Sequence, residues 1–320
     1  MRRDVAGSVL EEPADETGKR QASTRVAPAP VRPAWQGVLM LVACSALWSL
    51  NGPLIKLLNQ QGSGVSALAI AGYRSLIGGL VFLPFAWRQR TTLQAASPIW
   101  TVGAVLTFTL MTVSFVSATT RTAAASAIIL QDTAPIWVFL LSPALLGERP
   151  RREEGMALLI AMAGVAIIFL GHRAADAPAL LIALTSGLGY GSLMVVLRGL
   201  RRVNPTLVTC LNLLGSGLLL AVGMALWGSF RVTGAQAGLL ILLSLVQFAL
   251  PYVLFARALQ SVEAHQASLI VLLETILNPI WTYLVVGEAV PKATLLGGPF
   301  ILAGVAAWVL LSWRRTRLAA

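Results

Sequence analysis

The sequence predicts an all-α polytopic membrane protein, with ten transmembrane helices arranged as two inverted five-helix repeats. Three observations carry that prediction. The chain is 57% hydrophobic and 12% charged, with a mean hydropathy of +0.77, too little charge to cover a soluble surface of 320 residues. Apolar stretches of about 20 residues, enough to cross about 30 Å of hydrocarbon, recur along it. Short motifs from the first half return in the second at nearly one offset.

Residues 1–33 mix charges with Ala, Pro, Ser and Thr and lack the apolar core of a secretory signal. They are expected to form a disordered cytoplasmic tail. The spans follow at approximately 36–58, 66–87, 98–117, 122–146, 154–171, 177–198, 206–227, 234–256, 265–287 and 294–313. Short connections rich in turn formers, such as "NQQGSG", "GERPRRE", "RRVNP" and "GEAVP", separate them.

Ten spans place both termini on one side, and charge selects the side. With the N-terminus in the cytoplasm, 18 of the 24 basic residues lie inside: six in the tail, then Arg88, Arg90, Arg149, Arg151, Arg152, Arg198, Arg201, Arg202, Arg257, Arg314, Arg315 and Arg317. Only Arg121, Arg173, Arg231 and Lys292 lie outside, while Lys56 and Arg74 fall within or at the ends of spans. This asymmetry places both termini in the cytoplasm and the chain in the cytoplasmic (cell) membrane. It also accounts for the net charge of +11, so no nucleic-acid partner is expected; the lipid bilayer is the partner. Cys44 and Cys210 sit in apolar runs and read as small core residues, with no disulfide and no metal cluster.

The repeat divides the chain into 34–173 and 176–314. Trp48 and Lys56 correspond to Tyr190 and Arg198, and Ala125-Ser126 to Ala267-Ser268, at an offset of 142. "FVSA" at 115–118 matches "FARA" at 255–258 at an offset of 140. The fourth span contains "PIWVFLLSPALLGE" and the ninth "PIWTYLVVGE". From Pro to Gly is twelve residues in one and eight in the other, a slip of about one helical turn. Five is odd, so the second copy is inverted: Lys56 ends its span outside, and Arg198 ends the counterpart inside. Inverted repeats are the architecture of many secondary transporters, with a site near the midplane between halves.

The stretches "ALWSLNGPLIK" (46–56), "AGYRSLIGG" (71–79), "ASAIILQDTAPIWVFLLSPALLGE" (125–148), "FARALQSVEAHQASLI" (255–270) and "LLETILNPIWTYLVVGE" (272–288) resemble the EamA-type transporters of the drug/metabolite transporter superfamily. The resemblance covers about 35–313. It implies ten helices, a central cavity between halves, and export of small metabolites such as amino acids, or of drugs.

Few ionisable groups lie inside spans: Lys56, Arg74, Asp132 and Glu274. Such groups are costly in hydrocarbon and face a cavity or a partner. Glu274 and Asp132 lie at similar depths in repeat-related spans. They are candidates for proton coupling or for binding a substrate amine. The alternative is a structural ion pair with Arg74 or Lys56, or a protonated carboxyl hydrogen-bonded to a backbone carbonyl. Arg74 is a candidate for a substrate carboxylate, a partner of Asp132, or, near the start of its span, a side chain that snorkels to the outer surface. Trp48 and Tyr190, with Trp137 and Trp281, are aromatic and internal to spans. They can line a cavity and bind cations or rings, or simply pack between helices. Gln247, Asn51, Asn212 and Asn278 read as interhelical hydrogen bonds. Glu148, Glu288, Arg198 and Arg257, at span ends, are expected to reach water or headgroups. "NGP" (51–53), "GLGYG" (187–191), "GSG" (215–217) and "FALPY" (248–252) serve close packing or bending.

The sequence does not read as an enzyme. Its two His, His172 and His265, sit in an outer loop and at a span end, and no HExxH or phosphate loop is present. No cofactor and no metal are expected. No selectivity filter points to an ion channel, and no soluble output domain points to a sensor. The expected function is a secondary transporter that exports small metabolites by alternating access, with proton coupling at Glu274. The alternatives are translocation of a lipid or lipid-linked substrate, and uncoupled facilitation.

Overall fold

The computed structural model describes residues 34–60, 64–95, 97–147, 152–200, 202–228, 230–258, 261–262 and 270–319. The expected tail, Glu148, Arg149, Arg151, Arg201, His265 and the Ala267-Ser268 match lie outside the described residues. Regular structure among the described residues is helical throughout: α1 (Ala34–Trp48), α2 (Asn51–Gln60), α3 (Ala67–Trp87), α4 (Pro98–Arg121), α5 (Ala124–Gln131), α6 (Ala134–Leu146), α7 (Arg152–Leu170), α8 (Ala177–Gly199), α9 (Pro205–Trp227), α10 (Gly234–Leu242), α11 (Leu250–Ala258), α12 (Leu273–Val286) and α13 (Lys292–Ala319). Eight helical segments are long and apolar enough to cross a membrane, from Trp35–Gln60 to Lys292–Leu311, and Gly155–Leu170 is apolar but shorter. These nine follow the expected spans within a few residues. Of the expected ninth span, 265–287, the described part consists of residues 270–272 and α12.

Local sequence sets the ends. The Ser66 hydroxyl accepts from the Ala69 N–H at 3.2 Å and opens α3. Asn204 caps α9 at 2.9 Å, with Pro205 in its first turn, where a missing N–H costs nothing. Thr233 and Gln236 form a reciprocal capping box at α10. Gly147 and Gly287 close α6 and α12 in the left-handed region, at φ 68° and 70°, which glycine adopts without strain.

Three spans are interrupted among the described residues. The first span breaks between α1 and α2 at Ser49–Leu50. The fourth breaks between α5 and α6 at Asp132–Thr133, and the ninth breaks at Leu272, just before α12. In the eighth span, residues Leu243–Ala249 form a π-helical turn that joins α10 to α11, so the expected weakness at "FALPY" takes the form of an extra residue in the turn. The four-residue slip of the repeat also has a structural form. Pro135 lies in the first turn of α6, whereas Pro279 lies inside α12, yet the two helices have 13 and 14 residues.

Helices pair α3 with α9, α7 with α13, α4 with α8, and α1 with α11, while α5 and α6 lie on α8, and α1 and α2 on α12. Lipid is as apolar as these faces, so the pairs are held by close packing rather than by a hydrophobic drive. A Cβ at Gly164 would stand 2.5 Å from the Gly297 carbonyl oxygen, and one at Gly297 would stand 2.5 Å from that of Gly164. A Cβ at Gly189 would stand 2.6 Å from the Met111 nitrogen, and one at Gly217 2.8 Å from that of Leu76. "GLGYG" and "GSG" therefore take the packing role. One buried cluster holds Ile55, Ile70, Leu130 and Leu243; a second holds Phe82, Phe108, Leu213 and Phe248. Leu80, Phe85, Leu159, Leu170 and Leu284 are exposed, as expected of surfaces that meet acyl chains.

Candidate carboxylate site at the helix breaks

A break in a membrane helix frees carbonyls that need donors. At Ser49–Leu50 the donors are side-chain amides. Gln247 Nε2 donates to the Trp48 carbonyl at 3.2 Å, and Asn278 Nδ2 to the Ser49 carbonyl at 3.2 Å. Asn278 Nδ2 also donates to Asn51 Oδ1 at 2.5 Å. Asn51 Nδ2 in turn donates to Glu274 Oε1 at 3.1 Å. Gly52 permits this approach, because a Cβ there would meet Asn278 Oδ1 and Thr282 Oγ1 at 2.7 Å.

Glu274 is in the first turn of α12. Asp132 follows α5 directly, its N–H donating to the Ile128 carbonyl at 3.1 Å, and stands two residues before α6. Glu274 therefore sits at the positive end of α12, whereas Asp132 lies between the negative end of α5 and the positive end of α6. The Thr275 hydroxyl donates to Asp132 Oδ2. Among the described residues each acid has one oxygen engaged, and each is partly exposed. Each carboxylate is also held by a side chain from the other half of the chain.

Arg74, 3% exposed, is held differently. Its Nε donates to Thr112 Oγ1 at 3.2 Å, its Nη2 donates to the same oxygen, and its guanidinium lies 4.6 Å from the Phe248 ring centre. Among the described residues it forms no ion pair with either acid, although its charge reaches Glu274. Trp48 packs edge-on against Tyr252 at 5.4 Å and beside Phe255 at 5.6 Å. Tyr252 packs edge-on against Phe248 at 5.6 Å. Aromatic rings thus run from Trp48 to Arg74. Tyr190, on α8, packs against the second apolar cluster and lies within electrostatic reach of both acids.

Lys56 is elsewhere. Its Nζ pairs with Glu288 at 2.5 Å and donates to the Thr122 carbonyl at 2.7 Å. The Ala124 N–H donates to the other Glu288 oxygen at 2.7 Å. The structural ion pair offered as an alternative for Glu274 is thus made by Lys56 with Glu288, a residue expected to reach for water instead. The reason is geometric: α2 carries Lys56 past the break to the corner where α4 meets α5. Of the midspan amides, Gln247, Asn51 and Asn278 bridge helices as expected through their Nδ2 or Nε2 groups, while Asn212 Oδ1, Gln247 Oε1 and Asn278 Oδ1 have no partner among the described residues. No group of three or more His, Cys, Asp or Glu that could hold a metal occurs among the described residues.

Sequence reasoning singled out the charged and aromatic members of this site but passed over Thr275, Tyr252, Thr112 and Phe248, and gave Asn51 and Asn278 no role beyond a bridge. Signals existed for two of them: Thr275 adjoins Glu274, and Asn51 opens "NGP".

The model of the EamA-like transporter family matches residues 35–170 and again 177–310. An uncharacterized transporter of Archaeoglobus fulgidus is 30% identical over 261 residues, 78% of this chain and 88% of the relative. The uncharacterized transporter YwfM of Bacillus subtilis is 23% identical over 274 residues, 83% of this chain and 91% of its own. A crystal structure at 20% identity aligns with a TM-score of 0.61 over 88% of this chain and 98% of that one; that likeness concerns the fold alone.

Proposed function

The chain belongs to the EamA-like transporter family, and from that premise we propose that it is a secondary transporter that exports small, amine-bearing metabolites or drugs by alternating access. Proton coupling at Glu274 drives the cycle. The observation that carries this reading is the cross-held pair of acids: Asn51 of the first half engages Glu274, and Thr275 of the second engages Asp132. A partly exposed carboxylate at mid-depth in a span is costly unless it is used. Two of them, each beside a helix break, offer oxygens to a proton or an ammonium group, and the aromatic rings around Trp48 and Tyr252 offer faces to a cation or a ring. Arg74, tied to Thr112 and Phe248, balances charge and is available to a substrate carboxylate.

Ten spans in two inverted halves, 34–173 and 176–314, are the architecture we assign. Its support is the pairing pattern. The second span of one half (α3) lies on the second of the other (α9), and the fifth (α7) on the fifth (α13). The third of each half lies on the first of the other (α4 on α8, α11 on α1). An exchange of the halves reproduces that pattern. Rocking about such an interface opens a shared site to one side and then the other.

The test is uptake and efflux in proteoliposomes. Labelled amino acids, amines and small drugs are screened with and without a pH gradient, for the wild type and Glu274→Gln. Gradient-driven flux lost in the variant is the expected result. Flux indifferent to both gradient and substitution contradicts coupling at Glu274 and leaves a facilitator. No flux of any soluble solute favours a lipid or lipid-linked substrate instead.

A further inference from the structure

The amides at the first break form a directed chain. Asn278, fully buried, spends its Nδ2 hydrogens on the Ser49 carbonyl and on Asn51 Oδ1. With that oxygen engaged as an acceptor, Asn51, 5% exposed, presents only its Nδ2 to Glu274. A flip of either amide would place oxygen against oxygen. Glu274 Oε1 is therefore committed to the protein, and Oε2 has no hydrogen bond among the described residues.

We propose that Asn51 and Asn278 are positioning residues for Glu274, which make Oε2 the oxygen that takes a proton or an ammonium group and which couple its loading to the break at Ser49–Leu50. The inference rests on the reading of Glu274 as the transport carboxylate. A hydrogen bond from an amide to an ionised carboxylate is about twice as strong as one to a neutral group. Loading Oε2 weakens the Asn51 bond at Oε1, relaxes the grip of Asn278 on Asn51, and loosens its hold on the Ser49 carbonyl. The first span is then freer to bend at its break. In the reverse direction, bending at the break withdraws Asn51 from Glu274 and changes the acid's hold on its proton.

Other groups that face Glu274 must be held constant in the test: Asp132 from the α5–α6 break, Arg74 from α3, Tyr190 from α8, Tyr252 from α11 and Cys44 from α1. None is altered by substitution of the amides. The full chain in detergent is treated with a hydrophobic carbodiimide, which modifies protonated carboxyls, across a range of pH. Modification of Glu274 and Asp132 is read by peptide mass spectrometry. In Asn278→Ala the pH of half-maximal modification at Glu274 is expected to move by about one unit, and that at Asp132 by less than half as much. Asn51→Ser gives the same readout should Asn278→Ala not fold, with a thermal melt identifying the folded variant. A Glu274 profile that superimposes on the wild type in a folded variant overturns the proposal. The two readings fail separately: modification decides the amide relay, and flux of Glu274→Gln decides the transport role it rests on.

Discussion

The break before α6 and the break before α12 are the same device in the two halves of the chain, but the two acids are secured unequally. Asp132 is held by one hydroxyl, from Thr275. Glu274 is held by an amide that is itself held by a second amide, which reaches the carbonyl of another break. One half thus offers an acid on a single tether. The other offers an acid wired to a bend in the neighbouring helix. Each break sets an acid beside a helix end, and the polar side chains around it set how firmly that acid is held.

The largest effect should come from the acids themselves. Removing charge at Glu274 forfeits charge-assisted bonds worth about 1.5–3 kcal/mol, so Glu274→Gln should lower gradient-driven flux about ten- to a hundredfold. Asp132→Asn should lower it about tenfold or less. Equal losses in initial-rate assays would break the asymmetry. Next come Lys56→Met and Glu288→Gln. A partner stranded by loss of a buried pair costs about 3–5 kcal/mol. Glu288 keeps 24% of its side chain exposed, so we expect about 2 kcal/mol for each variant, partly restored in the double substitution. Thermal melts in detergent measure both.

A smaller effect is expected at the glycines where the first span of each half meets the broken span of the other. Gly52→Ala forces a Cβ to within 2.7 Å of Asn278, and Gly191→Ala to within 2.5 Å of the Ala134 carbonyl oxygen. Each should cost about 1–3 kcal/mol. Gly238→Ala, with nothing within 4 Å, should instead stabilise its helix by about 0.5–1 kcal/mol. A Gly238→Ala as harmful as the other two would contradict the packing role. The mildest change is Thr275→Val. A hydrogen bond to a carboxylate is worth about 1.5–3 kcal/mol, part of which water returns to the partly exposed Asp132, so KM should rise about two- to tenfold. If Thr275→Val mattered more than Asn51→Ser, Asp132 rather than Glu274 would be the acid more closely tied to movement.

Much of the scaffold was legible in the sequence because span length and hydropathy report directly on the solvent. Residue type also marked the charged members of the site, since a carboxylate in an apolar run has no bland place to sit. Partners were less legible. Lys56 was as close to Glu274 in pattern as to Glu288, and only the path of α2 after its break assigns it to Glu288. Asn278 looked like any interhelical amide, because its importance lies in the carbonyl freed at Ser49, 229 positions away. Arg74 carried a charge that suggested an acid as its partner, yet a hydroxyl and an aromatic face hold it, an arrangement that residue spacing does not encode.

The central claim is that the cross-held acids line a site open alternately to the two sides of the membrane. Leu272→Cys, at the ninth-span break and with both acids kept, in a background with Cys44 and Cys210 replaced by Ala, would be reconstituted in one orientation. A membrane-impermeant thiol reagent would then be applied from outside or trapped within the vesicles. The account predicts modification from both sides, with the balance between them shifted by a transported solute. Modification from one side alone, whatever the solute, would contradict it.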